Sequence, residues 1–228
     1  EGKDIRTLDL NTLEYRDRKS ARFATLELTK TVDKVIDRFP ILISGKDKAG
    51  EFYRKNFAAM FAYVSNRIPE ITDELYKIDD AMKAGFGWEH GPFQIWDAVV
   101  VEKGIELMKA EGLKPVFWVN EMLESGNKSF YTIKEGNTFF YDIRLKKQEK
   151  VPGQDAFIIL DNIRKSKEVF KNSGVVVEDL GDGILNVEFQ SKMNTIGGDV
   201  LSGLNKAIDL AEKDFAGLVV GNQAANFS

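Results

Sequence analysis

The chain has 228 residues, 43% of them hydrophobic and 30% charged, a balance that fits one large folded domain or two modest ones and argues against disorder. Its formal charge of -4 provides no global positive field for DNA or RNA. With no cysteine and the single His90, the sequence excludes disulfides, thiolate catalysis and Cys-ligated zinc, argues against a histidine metal site or a Ser-His-Asp triad, and fits a reducing compartment.

In chain order, Ile5 to Tyr15 alternate weakly around Asp9-Leu10-Asn11-Thr12, which predicts a small β-hairpin. Arg16 to Arg22 is basic and polar, and Phe23 to Phe39 has a mixed pattern closed by Pro40. The strongest helical signal runs from Lys48 to Lys77, where Phe57, Met60, Phe61, Val64 and Ile68 recur at spacings of three and four, followed by Ile71 and Leu75. Pro69 removes one backbone donor and is expected to kink or split that helix. Asp79 to Gly85 reads as a short helix closed by glycine, Gly91-Pro92 opens another that buries Phe93, Trp96, Ala98 and Val99, and a last helix runs from Glu102 to Glu111.

From Lys114 the character changes. Phe130 to Tyr141 predicts an aromatic hairpin around Glu135-Gly136-Asn137, and Arg144 to Gly153 reads as a polar loop. An apolar run, Phe157 to Leu160, precedes a basic amphipathic stretch from Asn162 to Lys171. Two strands, Val175-Val176-Val177 and Ile184 to Phe189, are joined through Gly181-Asp182-Gly183, with a helix following around Asp199 to Lys213 that places Leu201, Leu204 and Ile208 on one face. Phe215 to Gly221 then reads as a buried strand, completing the order strand, strand, helix, strand that starts an α/β unit. No apolar run approaches the roughly 20 residues of a membrane helix, and no signal peptide is read at the start. Both ends read as cut.

Two segments resemble known families. Gly85-Phe86-Gly87-Trp88-Glu89-His90-Gly91-Pro92-Phe93-Gln94-Ile95-Trp96-Asp97, preceded by Asn66-Arg67-Ile68 and Ile78-Asp79-Asp80-Ala81-Met82, closely resembles the C-terminal helical domain of 3-hydroxyacyl-CoA dehydrogenases. Gly85 and Gly87 would permit positive φ where the chain turns. Leu180 to Leu185, followed by Ser191-Lys192-Met193-Asn194-Thr195, looks like the opening of a crotonase-fold enoyl-CoA hydratase, with Asn226-Phe227-Ser228 leading into its first oxyanion-hole loop. The order is similar to that of bifunctional bacterial proteins of fatty-acid β-oxidation.

The resemblance implies NAD as cofactor of the parent enzyme. Its binding domain is absent here, because no Gly-x-Gly-x-x-Gly occurs and Gly181-Asp182-Gly183 is better read as a β-turn. It also implies that Asn66 is a candidate to assist the substrate carbonyl. A structural role, such as a helix-to-helix hydrogen bond, is favoured because the segment resembles the second of two tandem helical domains. Lys192 and Met193 match the segment that borders the CoA nucleotide, with a plain strand-to-helix loop as the alternative. Glu178, Glu188 and Glu212 match none of the hydratase acids and are expected to be solvated, as are the basic groups at Arg144 to Lys150 and Arg164 to Lys171.

The expected fold is α+β overall: an all-α C-terminal 3-hydroxyacyl-CoA dehydrogenase domain followed by a truncated α/β crotonase-like start. The expected division is a hairpin and linker over 1–48, the helical domain over 49–112, an aromatic hairpin and linker over 113–172 and the hydratase start over 173–228. Neither a metal site nor a bound cofactor is expected in this chain itself. The implied partners are acyl-CoA, the dehydrogenase's dinucleotide domain and the remainder of the crotonase domain, in the cytoplasm, with a homo-oligomer compatible and neither nucleic acid nor a membrane span involved. An isolated chain of this kind is expected to be non-catalytic, or to act as an interaction module inside the enzyme.

Overall fold

The computed structural model describes residues 5–18 and 21–224, so the expectation for Asn226-Phe227-Ser228 lies outside the described residues. Helix and sheet are combined in an α+β arrangement of two compact units, a mostly helical Glu1–Lys128 and a mixed Ser129–Ser228.

The first unit begins with the antiparallel hairpin β1 (Arg6–Leu8) and β2 (Tyr15–Asp17), whose turn is closed by Asp9 accepting from the backbone N–H groups of Asn11 and Thr12. The rest is helical: α1 (Ala24–Thr29), α2 (Val35–Ser44), α3 (Lys48–Asn66), α4 (Leu75–Phe86), α5 (Pro92–Ala98), α6 (Val101–Ala110) and α7 (Phe117–Glu124). Pro40 does not close a segment; it lies inside α2. It faces solvent, where a lost donor costs least, while Leu42 and Ile43 beyond it are buried and hold the helix together. The long helical signal is divided as the sequence predicts, with α3 ending at Asn66 and α4 starting at Leu75 on either side of Pro69. Gly87, at φ 65, is the left-handed C-cap of α4, whereas Gly85 is an ordinary residue within that helix.

The core grows from the apolar stripe of α3. Phe61 and Trp96 are both 0% exposed and stack with ring centroids 4.7 Å apart and planes 9° from parallel. Phe57, Ile68, Leu75 and Phe93 are buried with them, and Met82 is half-buried. Each large apolar side chain withdrawn from water contributes ~1.5–3 kcal/mol. The unit also takes in α7, where Trp118 packs 6.1 Å from the Phe93 ring and donates its indole N–H to the carbonyl of Ser65 at 3.1 Å.

The second unit contains two sheets. The meander β3 (Tyr131–Lys134), β4 (Asn137–Asp142) and β5 (Lys147–Lys150) includes the predicted hairpin. It also turns part of the expected polar loop into a third strand, because Lys150 pairs with Phe139 and Gln148 with Tyr141. After helix α8 (Leu160–Lys167) comes a four-stranded sheet in the order β6 (Glu168–Lys171), β7 (Val175–Gly181), β8 (Ile184–Phe189) and β9 (Gly217–Val220). The first three strands are antiparallel, and β9 joins β8 in parallel by way of helix α9 (Gly198–Asp214). The basic stretch expected to be amphipathic throughout is thus a helix that passes directly into a strand.

Strand alternation divides the sheet into two faces. Val175, Val177, Leu185, Val187 and Phe189 pack against α9 through Val200 and Ala207, with Leu204 half-buried beside them. Leu201 and Ile208, expected on the packed face, are exposed. Small residues let the helix approach instead: a Cβ at Gly203 would lie 2.2 Å from a methyl group of Val175. Leu185 is buried, whereas β9, expected to be a buried strand, is an edge strand with Val219 44% exposed.

A close approach in the first unit is equally exacting. A Cβ at Gly104 would fall 2.0 Å from the indole nitrogen of Trp96, which is held by donating to the carbonyl of Val101 at 3.0 Å. Gly104→Ala should therefore destabilise the chain by about 1–3 kcal/mol, as overpacked cores do. Gly85→Ala, where added volume meets nothing within 4 Å, should be neutral or stabilising by up to about 1 kcal/mol. Urea unfolding followed by tryptophan fluorescence checks both, and equal midpoint shifts would contradict the packing.

Candidate functional site

Asn66 belongs to the first unit and Lys192 and Met193 to the second. Asn66 is exposed in the last turn of α3, and its Nδ2 donates to the carbonyl of Ala62 at 2.7 Å, so its hydrogen bond stays within its own helix. Lys192 and Met193 form a tight turn between β8 and α9. Met193 and Asn194 both take left-handed backbone angles, φ 55 and 54. The turn is tied by Ser191 Oγ donating to the carbonyl of Thr195 at 2.8 Å and by Thr195 Oγ1 donating to that of Lys192 at 2.9 Å. Asn194 points inward, leaving Lys192 and Met193 presented to solvent. An exposed ammonium and thioether on a pinned turn can border an anionic or apolar ligand.

The β8-α9-β9 crossover is parallel, the arrangement that in dinucleotide folds receives a pyrophosphate at the helix N-terminus. The residues present do not fit NAD. Gly197 and Gly198 precede the helix without the third glycine of the fingerprint. The first turn already carries the Asp199 carboxylate, which accepts from Ser173 Oγ and opposes a second anion there. The adjoining cleft is only about 230 Å³ and is lined by Ser173, Gly174, Ser191, Thr195, Gly197, Gly198, Asp199 and Val200. A larger cleft of about 760 Å³ lies between the β3–β4 turn, α8 and β7, with Phe157, Ile158, Ile163 and Leu180 as apolar walls and Lys150, Asp155, Lys167 and Asp179 as charged ones. Among the described residues, no group of three or more histidine, aspartate or glutamate side chains is placed to hold a metal ion.

The most unusual chemistry is one the sequence did not announce. Glu178 and Glu188, expected to be solvated, are both buried on the sheet face opposite α9. Strand alternation puts them there: Glu178 is two residues from Val176 on β7, and Glu188 two residues from Asn186 on β8. Arg164, expected in a solvated basic group, reaches in from α8 and makes a two-pronged contact with Glu188, Nε to Oε2 at 2.9 Å and Nη2 to Oε1 at 2.8 Å. Its Nη1 meets Asp161 on the same helix.

Glu178 receives less. Its Oε2 accepts from Asn186 Nδ2 at 3.1 Å, and its Oε1 has no hydrogen-bond partner. Burial pushes the Glu178 carboxyl up to about 7; the Asn186 amide pulls it back, the nearby negative charge of Glu188 pushes it further up, and Arg164 offsets part of that. A carboxyl poised near neutrality can hold or release a proton, but this one has no exposed surface through which a substrate could be reached. Strand periodicity would have signalled the burial of both glutamates; nothing local would have paired them with an arginine 24 residues before Glu188.

Truncating Arg164 would leave Glu188 buried without its cation. Arg164→Ala should cost about 3–5 kcal/mol of stability. Arg164→Lys, which keeps the charge but not the fork, should recover only part of it. Denaturant midpoints test both, and an Arg164→Ala chain as stable as its parent would rule out a structural role for the pair.

Comparison with known proteins places these features in context. The whole chain aligns at 37% identity over 231 residues with a Bacillus subtilis (strain 168) protein named "Probable 3-hydroxyacyl-CoA dehydrogenase", covering 29% of it. It is also 23% identical over 228 residues to a Rickettsia felis protein named "Putative fatty acid oxidation complex trifunctional enzyme", 27% of which is covered. A Rickettsia prowazekii protein of the same name is 25% identical over 187 residues, with 82% of this chain and 23% of that protein matched. The chain thus spans less than a third of the length of these relatives. No family model and no solved structure matches it.

Proposed function

We propose that the chain is one portion of a bifunctional enzyme of fatty-acid β-oxidation, joining a 3-hydroxyacyl-CoA dehydrogenase to an enoyl-CoA hydratase. One observation carries this reading: the identity to the Bacillus subtilis protein runs through both compact units without loss of coverage. The Gly85–Asp97 segment supports it, since it forms the junction of α4 and α5 around which the helical core is built. In this reading residues 49–112 are the second copy of the dehydrogenase's helical domain, and residues 173–228 open a crotonase-like hydratase domain. NAD and acyl-CoA are ligands of the whole protein, working in the cytoplasm. NAD belongs to a dinucleotide domain outside this chain, and Lys192 and Met193 contribute to the rim of the CoA site. Asn66 serves the end of α3 more than the substrate.

A second reading, in which the helical unit is an interaction module standing in for a partner subunit, is favoured by its exposed Phe52, Tyr63, Phe86 and Phe117. The two are compatible within one enzyme.

Exchanging the matching segment of the Bacillus subtilis relative for this chain should yield a protein that still oxidises 3-hydroxyacyl-CoA with NAD. A chimera that folds but has lost an activity its parent shows would overturn the proposal. The chain by itself should give no saturable fluorescence change when titrated with NADH at micromolar concentrations, because it lacks the glycine fingerprint. Saturable binding would show that the chain holds a nucleotide site without that fingerprint.

A further inference from the structure

The buried polar face of the second unit connects more elements than a single ion pair requires. Asn186 lies directly opposite Glu178 in the β7–β8 register, and its Nδ2 also donates to the carbonyl of Gly221 at 3.2 Å. One residue on, Asn222 Oδ1 accepts from the backbone N–H of Phe189 at 2.6 Å. Gln223 then spans the entry to α8, accepting from the N–H of Leu160 at 2.8 Å and donating to the carbonyl of Ile158 at 2.6 Å. The segment leaving β9, the entry to α8 and its middle at Arg164 are therefore fastened to one another and to the sheet through Asn186, Glu188 and their neighbours, with Glu178 among them.

The charges around Glu178 do not allow it to ionise without consequence. The Arg164 guanidinium from α8 is already shared between Glu188 and Asp161. Lys165 and Lys167 of the same helix are exposed. From β6, Glu168 stands opposite Glu178 in register and is also exposed, adding negative charge on that side. β8 contributes Glu188, Gly217–Val220 of β9 carries no titratable group, and α9 packs on the opposite face through apolar side chains. An ionised Glu178 would present one buried carboxylate oxygen with no donor, next to a second carboxylate. Burying an unpaired charge costs several times more than burying the neutral acid.

We propose that Glu178 is kept as a neutral carboxylic acid and acts as a proton-operated latch: when it loses its proton, α8 and the Gly221–Gln223 segment loosen from the sheet. The second charge draws Asn186 and Arg164 towards itself, and the contacts that those two make with Gly221 and Glu188 are the ones that fasten the exit segment and α8. The direction follows from linkage. The carboxyl is raised from 4.5 to about 7 in the folded chain, so its contribution is fully present below 4.5 and is lost as pH rises to about 7.

The test compares the chain with Glu178→Gln, which carries the shape of the neutral acid and cannot ionise, in urea unfolding from about pH 4 to pH 9. The unfolding constant of the parent chain should rise relative to the variant by up to about tenfold per pH unit between 4.5 and 7, and the ratio should then stay level. Titrating groups remote from Glu178 are common to both proteins and cancel, and the difference reports Glu178 together with Glu188, whose charge it feels. Amide exchange at Leu160 and Phe189, whose N–H groups are held by Gln223 and Asn222, should lose protection over the same window in the parent only. Parallel stability curves, or exchange at both amides that follows pH equally in the two proteins, would overturn the proposal. If Glu178→Gln fails to fold, the infrared carbonyl band of a protonated buried carboxyl in the parent chain decides: it should be present at about pH 6 and lost by about pH 8. Its absence at the lower pH would refute the latch.

Discussion

The helical unit depends on one carboxylate. Asp79, buried in the first turns of α4, accepts from the backbone N–H groups of Phe93 at 2.9 Å and Gln94 at 3.0 Å, two of the donors that every helix leaves unpaired at its start. The helix it caps, α5, has seven residues and is far too short to stand alone. Charge-assisted bonds of this kind contribute ~1.5–3 kcal/mol each. They also fix where α5 begins, and hence where Trp96 lies against Phe61 of α3 and beneath Gly104 of α6. The glycine before Pro92 belongs to the same device. A Cβ at Gly91 would fall 2.2 Å from the Cβ of Asp79, and its N–H is taken by the side chain of Gln94 at 3.0 Å. At the far end of α5, Val100 adopts φ 72 between buried Val99 and Val101, a conformation that β-branched residues rarely enter.

The second unit solves its packing differently, by giving the two faces of one sheet opposite character. Towards α9 the sheet is apolar, and Gly203 and Ala207 bring the helix close. Towards α8 it is polar, and the energy comes from pairing of the charged groups. Arg164 is committed on all three nitrogens, Glu188 accepts from Arg164 and from Gln190, and Asn186 is shared between Glu178 and Gly221. Glu178 Oε1 and Asn222 Nδ2 are left without partners, and of the two groups Glu178 can relieve its shortage by keeping a proton.

Much of this was legible in the sequence where the determinants are local. Three-and-four spacing located Phe57, Phe61 and Ile68 in the core, Pro69 separated α3 from α4, and Gly181-Asp182-Gly183 joined β7 to β8. The failures share a cause: they concern residues whose partners are distant in sequence or whose small size carries the contact. Nothing near Asp79 reveals that its acceptors' donors lie 14 and 15 residues ahead. Leu201 and Ile208 look like the core face of α9 because they are large, yet the sheet selects the face with Gly203 because only there can backbone approach side chain. Glu178 and Glu188 look like surface residues by type, although period-two alternation already places them on one face with Val176 and Asn186. Of the candidate site, the tight turn at Lys192 and Met193 was anticipated as a loop; its pair of left-handed residues was not.

The two units illustrate how burial and donor supply together decide the charge of a carboxyl. Asp47, the N-cap of α3, accepts from Thr25 N–H at 3.0 Å, Thr25 Oγ1 at 2.7 Å and Gly50 N–H at 3.0 Å. These donors, led by the backbone N–H of Thr25, hold its carboxyl down to about 2. Its contribution to stability is present above 3.8 and lost only as pH falls towards about 2. Glu178 has one donor where Asp47 has three, no exposed surface and a carboxylate for a neighbour, and its contribution is lost in the opposite direction. The same functional group therefore ties α1 to α3 as an anion in one unit and underlies α8 as a neutral acid in the other. What distinguishes the two is burial first, and then the supply of N–H and O–H groups that each local fold can aim at the carboxyl oxygens, backbone donors and the Thr25 hydroxyl for Asp47 against a single side-chain amide for Glu178.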